Sequence, residues 1–192
     1  MRVSAHDVAV VLRERLPGLP VKKLHKLLYY CQGHHLAAFG EPLFGETISA
    51  WDMGPVVGTL WKQEKDGEPA PAPARPGAGV GAAALSEAEL NTVGYVVSRY
   101  GGLTGLDLEH LTHSEVPWRL ADRGRRPGES ARIELDWIRE YFAAGASADD
   151  EDEVVLDSAA VTRWLRDAPA RRAEPVRPDR PEEIRARLAR RE

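Results

Sequence analysis

The stretch VKKLHKLLYYCQGHHLAAFG, residues 21–40, restricts the fold more than any other part of the chain. Val21, Leu24, Leu28, Cys31, His35 and Phe39 follow one another at steps of three and four, and Leu27 and Leu36 widen the stripe. On an α-helix that spacing collects the apolar side chains on one face, and Gly40 suits the left-handed position that ends such a helix. A stripe this long predicts the central core helix of the domain.

Other helices are placed around it by their start and stop signals. Ser4 is an N-cap for a helix over residues 5–16, in which Val8, Leu12 and Leu16 repeat every four positions before PGLP ends it. Pro55 stands where the first residue of a helix belongs, with Val57, Leu60 and Trp61 following on one face. Ser86 with Glu89 makes a capping box ahead of Leu90, Val93, Val97 and Tyr100, and Thr104 with Asp107 opens a short helix through His113. SEVPWRLAD predicts another short helix with Pro117 in its first turn, and IELDWIREYFAAG one carrying Ile138, Tyr141 and Phe142. Residues 41–53 lack helical spacing and read as an irregular crossing with at most two short strands.

The expected fold class is mostly α: one compact helical domain with a short extended crossing, a Pro/Ala-rich loop and a basic C-terminal tail. The domain spans 1–144, with DGEPAPAPARPGAGVGAAA at 66–84 as a mobile loop that has too little apolar surface to order itself. Residues 145–168 hold an acidic loop, DDEDE at 149–153, and a terminal helix with Val161, Trp164 and Leu165. Residues 169–192 form a basic, flexible tail with helix potential from Pro181 to Arg191.

Composition excludes several function classes. The chain has 192 residues, 43% of them hydrophobic and 29% charged, enough for one globular core. No run approaches the roughly 18 to 20 apolar residues that cross a bilayer. The N-terminus has no secretory pattern, and the single cysteine, Cys31, fits a reducing compartment. These features predict a cytoplasmic protein with no membrane partner. A net charge of −4 argues against a general nucleic-acid binder. From Arg163 onward ten Arg face six acidic residues, so the tail carries 10 − 6 = +4 and the remainder −4 − 4 = −8.

Catalytic chemistry has little to stand on. Cys31, His34, His35, His110 and His113 are zinc-type ligands, yet they lack the paired CxxC or HExxH spacing of a metal site. Cys31 lies on the apolar stripe, where a thiol behaves as a small hydrophobe and not as a nucleophile. No phosphate loop, dinucleotide fingerprint or nucleophile elbow is present, and GAGVGAA at 77–83 follows no strand. No catalytic residue, metal or cofactor is expected. The aromatic residues Tyr29, Tyr30, Trp51, Trp61, Trp118, Trp137 and Trp164 weigh more towards core than towards a recognition surface.

One set of motifs points further. Lys26-Leu27-Leu28-Tyr29, Gln32, Pro42-Leu43-Phe44, Ala50-Trp51 and Gly54-Pro55-Val56 resemble, in order, the pattern of the Panacea domain of SocA-like and GepA-like antitoxins from bacteria and phages. LTHSEVPWRLA at 111–121 resembles that family's Leu-Thr-His…Pro-Trp segment, and IELDWIREYF its closing helix. The resemblance covers about residues 5–143. Three departures stand out: Asp52-Met53 where the family often has an aromatic, the long insert at 66–84, and a tail after Ala144 that the resemblance does not reach.

The resemblance implies the antitoxin of a type II toxin–antitoxin pair, neutralising a protein toxin by direct contact. That toxin can be an alarmone-synthetase-like, nucleotide-modifying enzyme. An alternative family role is an adaptor that delivers the toxin to a Clp-type protease, and self-association stays open. The residues the motif singles out, as partner contacts or as scaffold, are Tyr29, Gln32, Trp51, Gly54, Pro55, His113, Pro117 and Trp118. Physically, Trp51 would close the crossing against the core helix, Gly54 would take a backbone conformation other residues resist, and Pro55 would launch the next helix. The competing classes are a metal-dependent enzyme or regulator using Cys31 and the histidines, and a nucleic-acid binder working through the Arg-rich tail.

Overall fold

The computed structural model describes residues 3–67, 81–149 and 181–189. Its helices are α1 (Ala5–Arg15), α2 (Val21–Phe39), α3 (Gly58–Asp66), α4 (Glu87–Tyr100), α5 (Gly105–Ser114), α6 (Val116–Asp122), α7 (Leu135–Asp149) and α8 (Pro181–Ala189). Strands β1 (Ile48–Trp51), β2 (Gly54–Val57) and β3 (Ala131–Arg132) form one antiparallel sheet in the order β2-β1-β3. The fold is mostly α, as the periodicity predicts. The acidic run, the helix expected around Trp164, most of the Pro/Ala-rich stretch and residues 169–180 lie outside the described residues.

Local chemistry explains the helix ends. Ser4, Ser86 and Thr104 each accept a hydrogen bond from the backbone three residues on, and Asp7, Glu89 and Asp107 reciprocate, so all three helix starts are capping boxes. Gly40 ends α2 in the left-handed conformation, with φ of 71°. Pro117 sits in the first turn of α6.

α2 is the axis of the molecule, and α1, α4, α5, α7 and β2 all pack on it. Every residue from Leu24 to Gly33 is buried, so the stripe read from the sequence is only the most apolar side of a helix enclosed all round. The polar members of that stretch hold the crossing segment by its backbone. Gln32 donates to the Phe44 carbonyl at 3.1 Å and accepts from the Phe44 N–H at 3.2 Å. Lys26 Nζ donates to the Met53 carbonyl at 2.5 Å, and His25 Nδ1 accepts the Val57 N–H at 3.3 Å. Three side chains of one helix thus fix the start, the turn and the end of residues 44–57.

The crossing itself departs from the sequence expectation. Pro55 does not begin a helix: it lies in β2, paired with Ala50, and α3 begins at Gly58. β2 is an edge strand, where a residue with no N–H to donate is tolerated. Asp52-Met53 make a two-residue turn between Trp51 and Gly54. Gly54 has φ of 107°, and a Cβ there would stand 3.1 Å from Lys26 Cε and 3.2 Å from Thr112 Oγ1, so both backbone and space demand glycine.

Trp51 does not close against α2. Strand alternation turns Ile48 and Ala50 into the core and leaves Ser49 and Trp51 half-buried on the other face. Trp51 packs edge-to-face on Trp61 with centroids 5.1 Å apart, and its Nε1 donates to Ser130 Oγ at 3.0 Å. β3, contributed from the chain before α7, extends the sheet beyond the two strands expected. The far end of the 66–84 stretch is also structured: Gly81–Ala84 form a 3-10 turn against α1, where a Cβ on Gly81 would stand 2.7 Å from Val10 Cγ1.

Candidate partner-binding site

The residues after Leu28 in α2 build an aromatic cluster with α4 and α7. Tyr30 stacks on Tyr100 at 4.0 Å and 13°, and Phe142 meets Tyr29, Tyr30 and His34 edge-on at 5.6, 5.9 and 4.8 Å. Gly33 is what lets α7 come this close, since a Cβ there would lie 2.3 Å from the Phe142 ring. His34 Nε2 lies 3.0 Å from the Tyr100 hydroxyl. Burial, with the positive charge of Arg99 beside it, pushes the His34 pKa down to about 3, so its imidazole is neutral.

At the base of this cluster is Glu115, which is 3% exposed. Its Oε1 accepts the Tyr30 hydroxyl at 2.8 Å. The Tyr29 hydroxyl, buried beside the same carboxyl, acts on it as Tyr30 does and favours its charged form. Burial pushes the Glu115 pKa up to about 7, against the opposing pull of the two tyrosines and of Arg185.

Glu115 opens into a cleft of about 940 Å³ between α2, α4, α7 and α8. Phe39 and Tyr95 stand on its lining with 52% and 44% of their surface exposed, while Tyr141, Phe142 and Leu188 line it from α7 and α8. Arg185 of α8 donates to Ser114 Oγ at 2.7 Å on the same side. Aromatic surface, a few charged groups and concavity together suit recognition of a protein segment.

The motif residues are distributed differently. Tyr29, Gln32, Gly54, Pro55, Pro117 and Trp118 are buried, and Trp51 and His113 are half-buried. Tyr29 reaches the Glu115 cluster. Gln32, Gly54 and Pro55 hold the crossing, and His113 stacks on Trp118 at 4.0 Å beneath α5 and α6. Glu115, His25, Gly33 and Arg185 were not singled out by the sequence, and Lys26 entered only as the first residue of the motif. Glu115 lies inside the quoted SEVPW stretch, yet nothing in its spacing shows that a tyrosine 85 positions away will bury it.

The zinc-type residues do not converge. His35 pairs with Thr92 at 3.0 Å, His34 with Tyr100, and His113 with Trp118. Cys31 is fully buried, which pushes its thiol pKa up and keeps it protonated. Among the described residues no three His, Cys, Asp or Glu side chains gather to hold a metal ion, and no helix is long and apolar enough to cross a membrane.

Enclosed polar side chains of one axial helix hold the crossing, and an aromatic cleft lies beside them. The family model of the antitoxin SocA-like Panacea domain matches residues 24–119, and the chain belongs to that family. The match takes in α2 from Leu24 on, the hairpin β1–β2 and α3 to α5, and ends within α6; α1, α7 and α8 lie outside it. No curated protein and no solved structure matches the chain.

Proposed function

We propose that this protein is the antitoxin of a bacterial or phage type II toxin–antitoxin pair, which neutralises its toxin by direct, non-catalytic binding. Its family membership over residues 24–119 carries the reading. The aromatic cleft supports it as the contact surface, because its exposed Phe39 and Tyr95 are the residue kind that anchors protein interfaces. The toxin class the family suggests is a nucleotide-modifying, alarmone-synthetase-like enzyme. Expression of the protein encoded beside this one should arrest bacterial growth, and co-expression of this chain should restore it. Phe39→Ala with Tyr95→Ala should weaken the rescue while leaving the thermal melt unchanged. Arrest that this chain does not relieve would overturn the proposal.

A further inference from the structure

One face of α4 is turned to the cleft and not to the core. Asn91, Tyr95 and Arg99 step by four along that helix, so they stand one above another, and all three line the cleft. Phe39, at the end of α2, lines the same space, and it and Tyr95 keep 52% and 44% of their surface exposed. Arg185 enters the lining from α8, where it donates to Ser114 Oγ at 2.7 Å. The charged residues of the lining are therefore Arg99, Arg185 and Glu115. Glu115 offsets the arginines only in part. It is 3% exposed, its carboxyl accepts the Tyr30 hydroxyl at 2.8 Å, and burial favours its neutral form.

Other groups of the cleft feel this positive charge. Burial lowers the pKa of His34, and Arg99 lowers it further; burial raises that of Tyr141, and Arg185 pulls it back. The setting makes the sign informative, because the chain up to Arg163 carries −8. An acidic segment is repelled by most of such a body and attracted at this cleft, so charge selects where it docks. We propose that the cleft takes an acidic segment of the partner protein, its carboxylates meeting Arg99 and Arg185 and an apolar side chain beside them resting on Phe39 and Tyr95. The Asn91 amide, which both donates and accepts, suits the peptide groups of that segment. Guanidinium–carboxylate pairing supplies the specific bonds, and the two exposed rings supply the apolar anchor. The inference rests on the reading of this cleft as a protein contact surface, but its test uses no toxin, so it and the antitoxin proposal can fail separately.

The probe is a library of random peptides displayed on phage and selected on the immobilised full chain. The peptides recovered should be rich in Asp and Glu next to Leu, Phe or Trp. Synthetic copies should bind in solution, more weakly as salt rises, and should lose about ten-fold or more in affinity when their Asp and Glu are changed to Asn and Gln. Those measurements leave the protein untouched. A chain carrying Arg99→Gln with Arg185→Gln, shown by its melt to be folded, should show the same loss, and Phe39→Ala a loss with every peptide. Recovered peptides that are neutral or basic, acidic peptides that bind the double glutamine variant or the Phe39→Ala chain as tightly as wild type, or a selection that recovers nothing would each overturn the proposal. So would inorganic phosphate or ATP displacing the peptides at concentrations where chloride does not, which would make the cleft a site for small phosphorylated anions.

Discussion

Gly33 shows how much one residue decides here. It carries no side chain in the middle of an enclosed helix, and its place is taken by the Phe142 ring. A methyl group there would have to push α7 away or force Phe142 into a strained rotamer, because packed cores do not yield by small amounts. Gly33→Ala improves helix propensity yet should destabilise the fold by about 1–3 kcal/mol. The measurement is a thermal melt. An unchanged or higher melting temperature would mean that the contact between α2 and α7 contributes little.

At the scale of elements, the hairpin β1–β2 depends on α2 more than on its own strands. Four residue pairs join the two strands, and an isolated hairpin of this size is marginal in water. Lys26 supplies what the turn lacks. Burial pushes its pKa down to about 8, while Glu109 acts to keep the ammonium charged. Its bond to the Met53 carbonyl is charge-assisted, the stronger kind. Lys26→Met keeps the length and removes the donor, leaving that carbonyl unpaired at a cost of about 1–3 kcal/mol. The loss should be local. Amide hydrogen exchange of residues 48–57 should quicken while α4 and the start of α7 keep their protection. Equal acceleration everywhere would show that Lys26 supports the whole core and not the hairpin in particular.

For the whole molecule, buried titratable groups set opposing responses to pH. Burial, reinforced by Lys26 and Arg13, lowers His25 to about 4, and burial with Arg99 lowers His34 to about 3. Both are near 6.5 when unfolded, so the unfolded chain binds more protons below that value and acid removes stability. Each histidine can cost on the order of 3 kcal/mol by pH 4. Glu115 runs the other way. Its folded pKa, about 7, exceeds the unfolded value near 4.5, so its contribution is present at low pH and is lost as pH rises through 7. Glu115→Gln deletes that contribution and leaves the histidines. The melting temperature of the variant relative to wild type should therefore shift in the variant's favour between pH 4.5 and 7, and the variant should lose stability more steeply in acid. A difference constant across this range would mean that Glu115 titrates as an ordinary surface acid.

What the sequence by itself determined is what acts over a few positions. The period of α2, the capping boxes at Ser4, Ser86 and Thr104, and the stop at Gly40 involve residues within one turn of each other, and each is present where its spacing places it. The ordered motif from Lys26 to Trp118 was likewise legible, and with it the family. The tertiary structure alone decided the rest. Pro55 entered a strand because α2 and β1 together satisfy the hairpin. Lys26, His25 and Gln32 went inside because their partners are backbone groups of the crossing. Gln32 and Phe44 are 12 positions apart, and Tyr30 and Glu115 are 85 apart. A polar residue looks like surface until the group that will satisfy it is brought beside it, and only the folded chain does that.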